Sequence, residues 1–163
     1  MVSFSVLIPA YQAERTVRAT IESALAQSHP AQVIVCNDGS TDGTAAILQS
    51  FGGAIAVVTK PNGGLSTARN AALAMADGDY VVLLDADDTM APTRLARIAE
   101  HIASTNDDIV TTDATVVDEQ GRTVGLHYGD RLFPRHDGQR TAILGGNFLF
   151  VSSAIRTELL RSI

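Results

Sequence analysis

Tyr80-Val81-Val82-Leu83-Leu84-Asp85-Ala86-Asp87-Asp88-Thr89-Met90 is the stretch on which the fold turns. Its apolar opening reads as a strand buried on both faces, the pattern of a parallel sheet. Three carboxylates then crowd the C-terminal end of that strand. They would repel one another and serve no core unless a divalent cation neutralised them, because hard cations take carboxylate oxygens as ligands. In open α/β sheets, ligands bind outside the carboxyl ends of the strands. The cluster therefore stands where a ligand is expected, with chemistry suited to a metal and to whatever phosphate the metal holds. The alternative is a solvated acidic turn in which Asp88 or Thr89 caps the next helix.

Working outward, the same strand-then-helix unit recurs. A strand is expected over 2–9, ended by Pro9, then a helix over 14–26 with Val17, Ile21, Ala24 and Leu25 at helical spacing. A strand over 32–36 runs into Asn37-Asp38-Gly39-Ser40, and a helix over 41–51 and a strand over 54–59 follow. Pro61-Asn62-Gly63-Gly64 breaks the chain before an alanine-rich helix over 66–75. The acidic strand takes 79–84, and Pro92 suits the first turn of a helix over 92–102. This alternation predicts an α/β fold, a doubly wound and mostly parallel sheet flanked by helices. Beyond it, β-branched residues over 108–119, a Gln120-Gly121 turn and a return over 123–126 predict a hairpin or mixed-strand region. Residues 128–140 read as a polar surface loop, 145–153 as another apolar stretch and 156–160 as the start of a helix. No polar tail or glycine stop closes that helix, so the expectation is a chain cut short.

The composition narrows the classes. A chain of 163 residues, 45% apolar and 18% charged, suits one soluble globular domain with a substantial core. A net charge of −6 without a basic stripe argues against nucleic acid and against an anionic membrane surface as main partners. Arg heavily outnumbers Lys, Lys60 being the only lysine, and that imbalance carries no functional weight. Cys36 stands alone in an apolar run, which excludes an internal disulfide and a thiolate cluster and reads as buried and inert. His29, His101, His127 and His136 lack ligand spacing, which argues against zinc. No signal peptide and no apolar stretch of membrane-spanning length is visible, so a cytoplasmic location is expected.

Three further segments fall at strand ends beside the acidic cluster. Pro9-Ala10-Tyr11 offers an aromatic face with a polar tip, suited to stacking on a base or simply to packing on its own loop. In Asn37-Asp38-Gly39-Ser40-Thr41-Asp42-Gly43-Thr44, Thr41 or Asp42 is a natural helix cap, while Asp38 could accept a pyrimidine ring N–H or a ribose hydroxyl. Asn62-Gly63-Gly64-Leu65-Ser66-Thr67-Ala68-Arg69-Asn70 allows close backbone approach and then presents Arg69. That guanidinium could fork onto a base carbonyl or a phosphate, or pair with Asp38 or another acid.

Val6-Leu7-Ile8-Pro9-Ala10-Tyr11, residues 37–44, Asn62 to Asn70 and Leu84-Asp85-Ala86-Asp87-Asp88 together resemble the four landmarks of family 2 glycosyltransferases with the GT-A fold, in order and in spacing. Asp108-Ile109-Val110 through Asp118-Glu119-Gln120-Gly121, and Gly146-Asn147 leading into Ile155-Arg156, are similar to that family too. The resemblance implies transfer of a sugar from a nucleoside diphosphate sugar, most often a UDP-sugar, to an acceptor hydroxyl with inversion. It places Pro9, Ala10, Tyr11, Glu14, Asp38, Gly39, Gly64, Arg69, Asp85, Ala86 and Asp87 around the nucleotide-sugar. Within that set Asp38 would bond the uracil ring nitrogen and Arg69 would approach the base edge, with Asp85 and Ala86 along the ribose and diphosphate. Asp87, helped by Asp85 in an Asp-x-Asp motif, would hold Mn²⁺ or Mg²⁺.

On this reading 1–163 is one domain, with 1–104 as the nucleotide-binding half and 105–163 as the start of an acceptor-side half. The acceptor itself (glycan, lipid-linked or small molecule) stays open. Gln12 departs from the family, which usually has Asn there. The family's general base comes from a motif beyond the last helix, so no catalytic residue is assigned and the base is expected past Ile163. A non-catalytic nucleotide-sugar-binding fragment is therefore an alternative. A haloacid-dehalogenase phosphatase, with Asp85 as nucleophile, is a weaker one, because it leaves the earlier motifs idle and finds no later lysine.

Overall fold

The computed structural model describes residues 1–127, 129 and 153–162. At its centre lies β1 (Phe4–Ala10), buried along its whole length. It pairs in parallel with β2 (Gln32–Asn37) on one side and β4 (Tyr80–Leu83) on the other, and β2 pairs in parallel with β3 (Ala56–Thr59). Two short antiparallel strands, β5 (Ile109–Val110) and β8 (Ala154–Arg156), complete the order β3-β2-β1-β4-β8-β5. The expected β region over 108–119 divides: β5 joins this sheet, while β6 (Thr115–Val117) pairs with β7 (Thr123–Leu126) as a separate hairpin. Gly121 supplies the positive φ of +75° at its turn. The expected loop over 128–140 and apolar stretch over 145–153 lie, apart from Gly129 and Ser153, outside the described residues.

The helices are α1 (Val17–Leu25), α2 (Thr44–Ser50), α3 (Leu65–Leu73), α4 (Arg94–Thr105) and α5 (Thr157–Arg161). Side chains alternate across a strand, so each sheet face builds its own core. Val6, Ile8, Val33, Val35 and Val82 pack with Val17 and Ile21 of α1, Leu48 of α2 and Leu95 and Ile98 of α4. Leu7, Ile34, Cys36 and Val81 point the other way, against Ala68, Ala72 and Ala76. The alanine run is thus explained, since methyl groups let α3 lie close on the sheet. Cys36 is free and fully buried, and burial pushes its thiol pKa up, which keeps it inert.

Three local expectations need correction. Leu25 is 40% exposed, and Thr20 is buried on α1 instead. Neither Thr41 nor Asp42 is the N-cap of α2, a place taken by Gly43, although Asp42 Oδ1 accepts the Thr44 N–H at 3.0 Å. Neither Asp88 nor Thr89 caps the following helix, because α4 begins only after Thr93. The acidic turn is therefore not a helix cap. Among the described residues no helix is long and apolar enough to cross a membrane.

Candidate functional site

The strand order reverses beside β1: β2 and β3 build outward on one flank and β4 sits on the other. In an open α/β sheet such a switch point leaves a crevice at the carboxyl ends of the two central strands. The ladder continues past the strands here, with Asp38 N–H donating to Ala10 O at 2.9 Å and Leu84 N–H to Leu7 O at 3.0 Å. The segments after β1, β2 and β4 consequently leave the sheet along one edge.

A cavity of about 310 Å³ opens at that point, walled by Pro9 near the end of β1, Tyr11 and Gln12 just after it, Leu65 of α3, and Asp85, Ala86 and Asp87 after β4. Five residues singled out from the sequence thus meet around one space, and the Tyr11 side chain is 54% exposed above it. Ala10 is buried and contributes its carbonyl to the ladder. Glu14 does not reach the wall. Its Oε2 accepts the Gly43 N–H at 2.7 Å and its N–H donates to Asp42 Oδ2 at 3.1 Å, so it braces the 38–44 loop.

Gln12 has a local structural task. It sits at φ +50°, a left-handed conformation that asparagine adopts more readily. Its Oε1 accepts the N–H groups of Thr41 at 2.7 Å and Asp42 at 3.3 Å, contacts that hold the strained turn in place.

Beside the cavity, Asp38 is enclosed, its side chain only 4% exposed. Lys60 Nζ donates to Oδ1, and the Gly63 and Gly64 N–H groups close over the carboxylate at 3.1 and 2.8 Å. Lys60, with help from those two amides, holds the carboxyl below the usual carboxylate range. The remaining Lys60 protons go to Pro61 O and Thr67 Oγ1, at 2.8 and 2.9 Å. Lys60 therefore has a structural task that its residue type alone did not announce. Gly39, at φ +75°, and Gly64, at φ +86°, provide the turns that bring these loops together.

Arg69 pairs with Asp85 rather than Asp38, Nη2 donating to Oδ1 at 2.9 Å, while its Nε is buried without a partner. The acidic crowding is real. Asp88 has its carboxyl pKa raised by partial burial first, then by Asp87 and Asp85. Among the described residues no group of three or more His, Cys, Asp or Glu is arranged to hold a metal by itself. The donor set fits a cation of the Mg²⁺ kind instead, bound by one or two carboxylates with substrate phosphate oxygens completing its shell.

A polar row along α1 and just past its end, unnoticed in the sequence, holds the acidic loop in place. Thr20 Oγ1 donates to Ala86 O at 2.9 Å, Ser23 Oγ accepts the Met90 N–H at 3.0 Å, and Gln27 bonds Ala91 O and the Leu95 N–H. Thr20 and Gln27 are buried; Thr20 and Ser23 lie one turn apart on α1, and Gln27 follows just past its end. Their signal was a set of polar residues spaced like core residues. Thr20→Val is expected to cost about 1 kcal/mol of stability, because it strands the Ala86 carbonyl. Denaturant titration checks the loss, and an unchanged midpoint would show that the bond contributes nothing.

An open sheet with a carboxylate-lined crevice at its switch point has the architecture of GT-A glycosyltransferases. Residues 5–163 match the family described as Glycosyl transferase family 2, and the chain belongs to that family. It is 31% identical to the succinoglycan biosynthesis protein ExoO of Rhizobium meliloti (strain 1021) over 149 residues, 90% of this chain and 43% of ExoO. Against the UDP-Glc:alpha-D-GlcNAc-diphosphoundecaprenol beta-1,3-glucosyltransferase WfaP of Escherichia coli, identity is 38% over 95 residues, 56% of this chain and 38% of WfaP. The chain thus spans less than half the length of these relatives. The structure of S. aureus TarS in complex with UDP-GlcNAc superposes with a TM-score of 0.79 at 26% identity, covering 98% of this chain and 47% of that one. The mannosyltransferase PcManGT from Pyrobaculum calidifontis, in complex with GDP-Man and Mn²⁺, shares the fold at a TM-score of 0.59 and 24% identity, covering 73% of this chain and 36% of that one. Family and fold leave the phosphatase alternative without support.

Proposed function

We propose that this domain binds a nucleoside diphosphate sugar, a UDP-sugar by preference, and serves inverting transfer of the sugar to an acceptor hydroxyl. The observation that carries the reading is the cavity between β1 and β4, which joins an exposed aromatic ring, Tyr11, to the Asp85-Ala86-Asp87 turn. Tyr11 and Pro9 flank the base. Asp38, already gathering Lys60 and two amides, shares its carboxylate with the base edge and keeps the 60–64 loop shaped around it. Arg69 steadies Asp85 through Nη2 and keeps its Nε without a partner. Asp87, with Asp85 second, would hold Mn²⁺ or Mg²⁺. When bound, that ion stabilises the charge that develops on the departing diphosphate. The sugar passes through an oxocarbenium-like state attacked on the face opposite the leaving group. Residues 1–104 form the donor half and 105–163 belong to the acceptor side. A cytoplasmic location belongs to the same reading, since a lone buried thiol makes no use of an oxidising compartment.

Ligands that bind only the native state raise apparent stability. UDP with Mn²⁺ is therefore expected to raise Tm more than ADP or GDP at equal concentration, and Asp38→Ala is expected to remove that preference. Equal protection by all three nucleotides in the unsubstituted protein would sink the base assignment.

A further inference from the structure

The side-chain amide of Gln12 is fixed at one end and open at the other. Its Oε1 accepts the N–H groups of Thr41 at 2.7 Å and Asp42 at 3.3 Å, and the Thr41 hydroxyl at 3.3 Å. Backbone N–H groups can only donate, so the arm they meet is the oxygen and the other arm is Nε2. Nε2 carries two protons and has no hydrogen-bond partner among the described residues. The residue is exposed and walls the β1–β4 cavity together with Asp85, Ala86 and Asp87. A hydrogen-bond donor already held in place loses little freedom when a ligand arrives.

A diphosphate in this cavity needs such protons. The ionised carboxylates of Asp85 and Asp87 only accept, and a cation shared with them satisfies only some of the phosphate oxygens. The loop backbone does not supply the rest. The Gln12 N–H goes to Ser40 Oγ at 3.1 Å, the Ala13 N–H to Thr44 Oγ1 at 2.9 Å and the Glu14 N–H to Asp42 Oδ2 at 3.1 Å. Pro9, Ala13, Leu65 and Ala86 bring apolar side chains, which leaves Tyr11, Gln12 and Thr16 as the side-chain hydrogen-bond donors on these walls. Tyr11 flanks the base. Thr16 makes no capping bond to α1 that would fix its hydroxyl, whereas the Gln12 amide is pinned by three bonds. We propose that Gln12 Nε2 donates to a phosphate oxygen of the nucleoside diphosphate, which makes Gln12 a nucleotide-binding residue. The assignment rests on the nucleotide-sugar reading above and adds to it a residue that the resemblance did not include.

The test measures UDP binding with Mn²⁺ by calorimetry on the whole chain and two variants, together with the Tm of each protein without nucleotide. Gln12→Glu keeps an oxygen facing Thr41 and Asp42 and puts a second, charged oxygen where Nε2 stood. Its Tm without nucleotide is expected to stay within about 2 °C of the unsubstituted protein, since the loop keeps its acceptor. Its affinity for UDP is expected to fall at least ~10-fold, because a bond to a charged oxygen is lost and a like charge faces the phosphates. Gln12→Asn stays neutral but draws the amide back by one methylene, and a loss of about 3–10-fold is expected. The order Gln, Asn, Glu in falling affinity is the mark of a phosphate contact. A ribose or sugar hydroxyl would instead donate to the new carboxylate, so binding by Gln12→Glu equal to or tighter than that of the unsubstituted protein overturns the proposal. Losses that merely follow a fall in Tm without nucleotide overturn it too, because Gln12 would then only brace its loop. Should Gln12→Glu not fold, Gln12→Asn decides alone, and unchanged affinity there is fatal. Equal UDP binding by all three proteins strikes Gln12 while leaving the nucleotide-sugar reading intact; no UDP binding by the unsubstituted protein strikes that reading itself.

Discussion

Asp87→Ala is expected to weaken UDP binding in the presence of Mn²⁺ at least ~10–100-fold, the scale seen on losing even an indirect metal partner. The geometry ranks the carboxylates. Asp85 is already half neutralised by Arg69 at 2.9 Å and is partly buried, so some of its charge is spent before any cation arrives. Asp87 has no ion pair among the described residues, is exposed, and lines the cavity directly. Asp88 lies outside that cavity and faces the neighbouring one. Asp85→Ala is therefore expected to cost as much as Asp87→Ala or less, and Asp88→Ala less than either. Without a cation the diphosphate would meet these carboxylates across a short gap, so chelator is expected to abolish UDP binding in the unsubstituted protein. Calorimetry with and without chelator decides the matter. Metal-independent UDP binding of unchanged affinity would remove Asp87 from the metal role.

The fold was legible because its signals are local and repeated. The apolar run of β4 ending in carboxylates, and the alternation of strand and helix before it, follow from burial and periodicity alone. The hairpin of β6 and β7 was legible from its glycine turn. The joining of β5 to β8 was not, because those partners lie far apart in the chain and only tertiary packing brings Ile109 against Ile155. Around the cavity, Tyr11, Asp85 and Asp87 stood out by residue type at strand ends, while Pro9 and Ala86 came from the family resemblance. Lys60 and Thr20 were not. A lone lysine and a helical threonine are ordinary residues until the structure shows one closing over Asp38 and the other donating to Ala86. Supporting residues of this kind act through loops that the sequence shows only as separate segments.

Gly39→Ala tests how strictly those loops depend on one another. Gly39 sits at φ +75°, where an L side chain is strained by about 1–2 kcal/mol. A Cβ there would also meet Asn62 N at 2.7 Å and Lys60 O at 3.3 Å, both backbone atoms that cannot swing aside. The 60–64 loop would have to move, and with it the Gly63 and Gly64 amides and the Lys60 ammonium that gather on Asp38. Strain and displacement together are expected to cost about 2–4 kcal/mol, a fall in Tm on the order of 5–15 °C. Gly52→Ala separates the two effects. That residue also has a positive φ, +54°, but nothing lies within 4 Å of its added carbon, so only the strain remains. Gly39→Ala should then lose clearly more stability than Gly52→Ala in denaturant titration, and it alone should lose the preference for UDP over ADP. If the two variants unfold at the same midpoint and both keep the preference, the loop packing around Asp38 does not shape the base pocket.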